Sequence, residues 1–204
     1  MRDNESLLVV FVKNPRRGKV KTRLAETMGD KRALRIYERL LDYTKRIVKP
    51  LDEKLRIEVW FSDHIPEDDF WGDIDLEKKV QPEGSLGERM AYACRKAFSE
   101  GRKKVVIIGS DCAELSARHL VEAFEKLDRF DVVIGPSDDG GYYLIGMSEL
   151  YRPLFANKSW STSRLFRQTM QAIENENLSC SLLERLNDVD TEEDWLRVKE
   201  QFSD

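Results

Sequence analysis

Apolar residues fall along this chain in two rhythms, one of strands and one of helices, and the two alternate. Leu7–Val12 is an unbroken apolar run rich in β-branched residues, the pattern of a strand covered on both faces. Behind it, Leu34, Tyr37, Leu41 and Val48 recur at helical spacing, and Pro50 supplies a stop. Leu55–Phe61 alternates, placing Ile57, Val59 and Phe61 on one side of a second strand. Met90, Ala93, Ala97 and Phe98 mark the next helix, and Lys104–Ile108 the next buried strand. Leu120, Ala123, Phe124 and Leu127 trace a helix that Ser116 is placed to cap, followed by a strand at Asp131–Gly135. Beyond a strand at Tyr142–Gly146, residues Leu165, Phe166, Thr169, Met170 and Ile173 predict another helix, and Ser179–Leu186 a late strand. Thr191-Glu-Glu-Asp194 reads as a capping-box start for a last helix with Trp195, Val198 and Phe202 on one face.

Repeated alternation of this kind predicts an α/β protein, a three-layer α/β/α sandwich around a mostly parallel sheet. Gly140-Gly141 leaves no room for a crossover helix, so Tyr142–Gly146 is expected to run antiparallel. The acidic stretch Ser62–Lys79, with Pro66, Phe70, Trp71 and Gly72, reads as an irregular connection with short pieces of structure. There is no internal repeat, low-complexity tract or Pro/Gly/Ser linker, so residues 1–204 are expected to form a single domain.

Composition narrows the setting. Charged residues make up 35% and hydrophobic ones 41%, the balance of a soluble globular chain, and a net charge of −4 argues against general nucleic-acid binding. Cys94, Cys112 and Cys180 form neither a Cys-x-x-Cys pair nor an even disulfide set, which suits reduced thiols in the cytoplasm and implies no zinc cluster. Met1–Ser6 is polar and Leu7–Val12 is too short for a signal-peptide core or a membrane span, so no integral membrane contact is expected.

The candidate chemistry lies where strands end. Gly109-Ser110-Asp111-Cys112 follows the run ending at Ile108, and open α/β sheets bind ligands at such carboxyl ends. A carboxylate there can hold Mg²⁺ or Mn²⁺ against a diphosphate, since Mg²⁺ takes one or two carboxylates together with substrate phosphates and water. The loop after the first strand carries Lys13, Arg16, Arg17, Lys19, Lys21 and Arg23 within eleven residues. It is no Walker A loop, but Arg grips phosphate bidentately, Lys adds point charge and Gly18 admits close backbone approach. Lys13, Lys21 and Arg23 are the stronger candidates for that role; ordinary solvated charge is the alternative reading. Asp188-Val-Asp190-Thr191 and Asp138-Asp139-Gly140-Gly141 bring further carboxylates, although Asp-Gly-Gly is also what a tight turn requires. Trp160 either belongs to the core or stacks on a ring, and Ser161 is read as a helix cap. His64 and His119 lack triad partners and read as surface or structural residues.

Six ordered motifs carry a resemblance. They are Phe-x-Lys-x-Pro-x-x-Gly-x-Val-Lys-Thr-Arg-Leu at residues 11–24, Gln81 through Leu86-Gly87-x-Arg89-Met90, and Gly109-Ser-Asp-Cys112. The others are Gly135-Pro through Asp139-Gly-Gly-Tyr-Tyr-Leu-Ile-Gly146, Trp160-Ser-Thr162 and Asp188-Val-Asp-Thr191. The chain resembles a transferase family of GT-A glycosyltransferase fold associated with radical-SAM and selenium-domain proteins. It is similar, more distantly, to guanylyltransferases for the molybdenum cofactor and for phospholactate. That resemblance implies metal-binding at Asp111 and Asp190. It also implies nucleotide-binding by the first loop, with Lys13, Gly18, Lys21 and Arg23, and by Gln81 and Gly84 near the base; Trp160 joins them as a candidate through its ring alone. Lys21 and Asp139 are then the catalytic candidates, as preorganised cation and as general base. Ala113 stands where Pro often follows Gly-Ser-Asp-Cys, and the Gly-rich loop of sugar-nucleotide synthases is missing. The implied activity is Mg²⁺- or Mn²⁺-dependent transfer from a nucleotide donor, most simply of a glycosyl group from a nucleoside-diphosphate sugar. The alternatives are nucleotidyl transfer with release of pyrophosphate, and a catalytically weak nucleotide-binding or scaffold protein.

Overall fold

Leu7, Leu8, Val9 and Val10 at the centre of β1 (Asp3–Val12) are all buried, as a strand with a helical layer on each face demands. The computed structural model describes residues 3–68, 70–72 and 76–202; part of the acidic connection, residues 69 and 73–75, lies outside them. Around β1 the sheet grows to seven strands in the order β3-β2-β1-β4-β6-β5-β7. These are β2 (Leu55–Phe61), β3 (Glu77–Val80), β4 (Lys104–Ile108), β5 (Val132–Pro136), β6 (Tyr142–Met147) and β7 (Cys180–Leu182).

Alternation along each strand sorts side chains into two cores. Leu8, Val10, Val12, Val106 and Ile108 pack with Tyr37 and Leu41 of α2 (Asp30–Val48) and with Leu120 and Phe124 of α4 (Ala117–Lys126). Leu7, Val9, Val105 and Ile107 face the other way, onto Met90 and Cys94 of α3 (Leu86–Ser99) and Ala172 and Ile173 of α5 (Leu165–Asn175). Each such fully buried side chain contributes about 1.5–3 kcal/mol. A third cluster joins α1 (Thr22–Met28) and α6 (Glu192–Val198) to the outer side of α2, through Leu24, Ile36, Leu40, Val189, Trp195 and Phe202.

β1 pairs parallel with β2 and β4, β2 parallel with β3, and β5 parallel with β7, whereas β6 runs antiparallel to β4 and β5. The carboxyl ends of the six parallel strands and the start of β6 therefore share one edge of the sheet. Leaving β1, the chain turns first to β2 on one side and later to β4 on the other, so the gap between the ends of β1 and β4 is a topological switch point.

Four elements differ from the sequence pattern. The short pieces of structure expected in Ser62–Lys79 include a sheet strand that the pattern does not mark, β3, which runs one residue past that stretch; its Glu77-Lys78-Lys79 carries no apolar signal because an edge strand leaves much of its surface open. The basic loop ends earlier than its motif, because α1 starts at Thr22. Cys180–Leu182 is all that pairs as a strand in Ser179–Leu186, with a separate bridge from Ser137 to Leu186. Ser161 does not cap α5: its φ is +58°, and α5 begins four residues beyond it, at Leu165, with Arg164 in the cap position.

Candidate functional site

The loop from Lys13 to Lys21 leaves β1 at the switch point, and buried polar groups hold it there. The Tyr37 hydroxyl donates to Lys13 O (3.1 Å), accepts from Lys13 N (2.9 Å) and lies 3.1 Å from Ser110 Oγ. One phenol thus clamps the loop after β1 to the loop after β4; burial pushes its pKa up to about 12. Asn14 sews the other side down, accepting from Asp63 N (2.9 Å) and donating to His64 O (2.8 Å). Arg16 pairs with Asp63 at 3.0 Å.

At the loop's end Lys21 adopts a left-handed backbone (φ 47°, ψ 49°) that only glycine adopts without strain. Its ammonium lies 3.0 Å from Asp111 Oδ2 and 2.9 Å from Asp190 Oδ1. Arg23 reaches the other Asp190 oxygen at 3.4 Å. The Lys21 side chain is 5% exposed, while those of Asp111 and Asp190 are 40% and 36% exposed. Burial alone would lower the lysine pKa, but the two carboxylates outweigh it and hold the ammonium above its ordinary range. Burial likewise raises Asp111; the charge and hydrogen bond of Lys21, with a smaller contribution from Lys13, bring it below the ordinary carboxylate value.

The carboxylates arrive from distant parts of the chain by specific backbone contacts. Val189 N donates to Asp111 O (2.9 Å), and Asn187 N donates to Glu114 Oε2 (2.7 Å), which zips residues 187–189 along the loop after β4. Asp194 Oδ2 accepts from Asp190 N and Thr191 N, so the capping box of α6 also orients Asp190. Gly109 is the residue that the close approach of Asp111 requires, since a Cβ there would stand 2.8 Å from Asp111 Oδ1. Asp188 is half-buried, with its Oδ1 shielded from solvent and without a hydrogen-bond partner; desolvation, then the charges of Asp111, Asp190 and Asp139, push its pKa well up.

Asp139 is close enough to influence Asp188. Its Oδ1 accepts from Ser137 Oγ and from Gly141 N (2.9 Å), and Phe166 N donates to Gly140 O (2.9 Å), which anchors the turn on the first turn of α5. Lys13, Lys21, Arg23, Asp111, Asp190 and Asp139 thus gather around the ends of β1, β4 and β5. Arg17 turns instead into a cavity of about 780 Å³ on the outer side of α2, lined also by Arg32, Arg35 and Trp195, away from the carboxylates.

The remaining candidates have visible structural roles. Gln81 Nε2 donates to Trp60 O (2.8 Å) and Val12 O (3.3 Å), and Arg89 donates to its Oε1 (3.4 Å), so its amide ties the ends of β1 and β2 together. Gly84 (φ +120°) turns the chain into the Ser85–Glu88 capping box of α3. Gly18 (φ +73°) lies beside Asp30, which a Cβ there would meet at 3.5 Å. Trp160 packs edge-on to Tyr142 with ring centroids 6.4 Å apart and covers Gly87 so tightly that a Cβ there would stand 2.6 Å from it. His64 packs against Asn14 and Arg16, and His119 accepts from Ser116 N at the start of α4. Tyr37 is the residue that periodicity alone does not reveal: the pattern assigns its ring to the core, and nothing in the pattern marks its hydroxyl.

Among the described residues no group of three or more His, Cys, Asp or Glu side chains is arranged to hold a metal ion by itself. The donor set nevertheless fits a hard divalent cation that substrate phosphates help to bind. It offers two half-open carboxylates and the unpartnered Asp188 Oδ1 beside them. No described helix is long and apolar enough to cross a membrane.

No curated protein matches the sequence. Among solved structures, a protein from Desulfovibrio desulfuricans G20 named a putative nucleotide-diphospho-sugar transferase is 30% identical with a TM-score of 0.82, covering 92% of this chain and 83% of that one. A nucleotidyl transferase from Methanothermobacter thermautotroptrophicus is 16% identical (TM-score 0.68, 98% of each chain). The 4-diphosphocytidyl-2C-methyl-D-erythritol synthase from Anaerococcus prevotii DSM 20548 is 11% identical (TM-score 0.62, 98% and 99%). The two latter show that the fold is shared. A family profile matches residues 49–162, a span that includes Asp111 and Asp139 but neither Lys21 nor Asp190. On that match, which takes in more than half of the sequence, the chain belongs to DUF2064, the family described as an uncharacterized protein conserved in bacteria.

Proposed function

We propose that this protein is a metal-dependent transferase that uses a nucleotide donor, most simply moving a glycosyl group from a nucleoside-diphosphate sugar to an acceptor. The observation that carries the reading is the convergence of Asp111 and Asp190 on one cation position at the β1/β4 switch point, with a third of each carboxylate or more open to solvent. The name of the 30%-identical relative from Desulfovibrio desulfuricans supports the glycosyl donor. In this reading Asp111 and Asp190 hold Mg²⁺ or Mn²⁺, with Asp188 beside them. The ion, when bound, neutralises negative charge on the donor's phosphates. Lys13, Lys21 and Arg23 add preorganised positive charge at the same phosphates, worth most where water is excluded. Asp139, fixed by Ser137 and Gly141, faces the acceptor and takes its proton as general base. Gln81 and Gly84 shape the base site through the backbone they position, and Trp160 closes its far wall.

A second reading, nucleotidyl transfer from an NTP, draws support from the gathering of three cations, Lys13, Lys21 and Arg23, at one site and from the likeness to nucleotidyltransferase folds. The two leave different products. A panel of nucleoside-diphosphate sugars and NTPs, assayed with Mg²⁺ or Mn²⁺, is expected to release nucleoside diphosphate; pyrophosphate instead selects the second reading. Release of neither, together with no nucleotide binding, overturns both in favour of a scaffold.

A further inference from the structure

Lys21 occupies the position that the proposed function gives to a divalent ion. Its ammonium contacts one oxygen of each of the two carboxylates, at 3.0 and 2.9 Å, and is itself nearly buried. Two cations cannot share that point, since a divalent ion and an ammonium a few ångströms apart in a partly desolvated site repel each other strongly. Either the ion never enters or the lysine leaves.

Three features make departure feasible. Lysine is a point charge on a flexible four-carbon stem and does not lock into a fork as arginine does. Its backbone is held left-handed, a strained conformation in a residue with a Cβ, so the closed arrangement is not the lysine's own preference. Its carboxylate partners face solvent, so a new cation can approach them from outside as the ammonium withdraws. What the ammonium needs in return is another anion, and the loop that carries Lys21 already gathers Lys13 and Arg23 around the place where phosphate would lie.

We propose that Lys21 is an exchangeable placeholder: it neutralises Asp111 and Asp190 in the nucleotide-free protein and transfers to the phosphates of an incoming nucleotide. The divalent ion is then taken up with the nucleotide and not before it. The inference rests on the metal reading of Asp111 and Asp190. It yields a specific coupling, since phosphate and metal each raise the other's affinity by the same factor, about 5- to 150-fold where such coupling is ordinary.

Mn²⁺ and inorganic pyrophosphate are the probes, because they report cation and phosphate binding without requiring the base to be known. Calorimetry of the wild-type chain should show weak Mn²⁺ binding alone and binding about tenfold tighter or more once pyrophosphate is present. Lys21→Met, checked for folding by circular dichroism, should bind Mn²⁺ alone at least about tenfold more tightly than the wild type and lose most of the coupling. Wild-type Mn²⁺ binding that is lost in Asp111→Asn but no tighter in Lys21→Met overturns the placeholder while leaving the metal site standing. No Mn²⁺ binding to any form, with or without pyrophosphate, overturns the metal site and the placeholder with it. Should Lys21→Met fail to fold, the wild-type protein answers alone through its lysine side-chain ¹H–¹⁵N signals. The hydrogen-bonded Lys21 ammonium should shift or vanish on joint addition of Mg²⁺ and pyrophosphate and stay in place with Mg²⁺ alone. An unchanged signal at joint saturation refutes the exchange.

Discussion

Lys79 and Lys21 are both largely buried against pairs of carboxylates, and their surroundings differ. Lys79 lies 2.7 Å from Glu58 Oε1 and 3.0 Å from Glu77 Oε1, and its ammonium stands 5.6 Å from the centre of the Trp60 ring. The second Glu58 oxygen accepts from Trp60 Nε1 at 2.8 Å, and the Glu58 side chain is 3% exposed. All four residues lie on the adjacent parallel strands β2 and β3, in ordinary strand backbone. Lys21 instead sits in a left-handed residue, and its partners come from loops 90 and 169 residues away. Those partners stay half-open, and an unpartnered Asp188 oxygen adjoins them. The contrast teaches that an ion pair by itself says little about function. What distinguishes the second pair is backbone strain, an unsatisfied neighbour and an approach from solvent, all located at the switch point.

The largest expected effect breaks the open cluster. Asp111→Asn should remain folded and lose metal-dependent nucleotide affinity by about 100-fold or more, at least the upper range seen when a group merely supporting a ligand is removed. Near-wild-type affinity, measured by calorimetry, would remove Asp111 from the site. Next comes the closed cluster. Glu58→Gln leaves Lys79 without its buried partner and should destabilise the fold by about 3 kcal/mol in urea unfolding. Its nucleotide affinity should stay unchanged; a parallel loss of binding would erase the distinction drawn between the two lysines.

Tyr37→Phe is expected to cost about 1–2 kcal/mol, because Lys13 N and Ser110 lose a buried partner. It should also weaken phosphate binding, though less than Asp111→Asn does; stability loss with unaltered phosphate affinity would limit the clamp to folding. Smallest is Asp131→Asn at the opposite edge of the sheet, at about 1 kcal/mol. There the Asp131 carboxylate accepts from Ser179 N (2.8 Å) and Oγ (2.6 Å). The Ser179 side-chain and backbone hydrogen bonds hold the Asp131 pKa below its ordinary 3.8. A depressed carboxylate contributes stability that is present above 3.8 and is lost as pH falls through the lower, folded value. The wild type should therefore lose stability more steeply than Asp131→Asn in that acid range, while near neutrality the two should run parallel. A difference that instead appears around neutral pH would contradict the sign.

How much of this was legible in the residues depends on the range of the interaction that fixed each part. Leu7–Val12 and Lys104–Ile108 declare central strands because both faces are covered, and Thr191-Glu-Glu-Asp194 declares its helix because a capping box is local. β3 is invisible because an edge strand of Glu, Lys and Lys has no apolar period, and α1 because seven residues behind a basic loop carry too little pattern. Within the site, the residue types and their strand-end positions pointed to Asp111, Asp190 and Lys21. Their union through one ammonium did not show, since no local rule joins positions 21, 111 and 190. Trp160 shows the same limit: a sequence offers ring stacking and core packing equally, and only the fold sets Gly87 and Tyr142 against it.

The central claim is that a divalent cation and a nucleotide's phosphates meet between the ends of β1 and β4. Amide line broadening by Mn²⁺, recorded in the ¹⁵N-labelled protein saturated with pyrophosphate, tests this most directly. Broadening should centre on residues 20–22, 109–112 and 188–191, with the Lys79 cluster untouched. Broadening centred elsewhere, or none at saturating pyrophosphate, would contradict the assignment of Asp111 and Asp190.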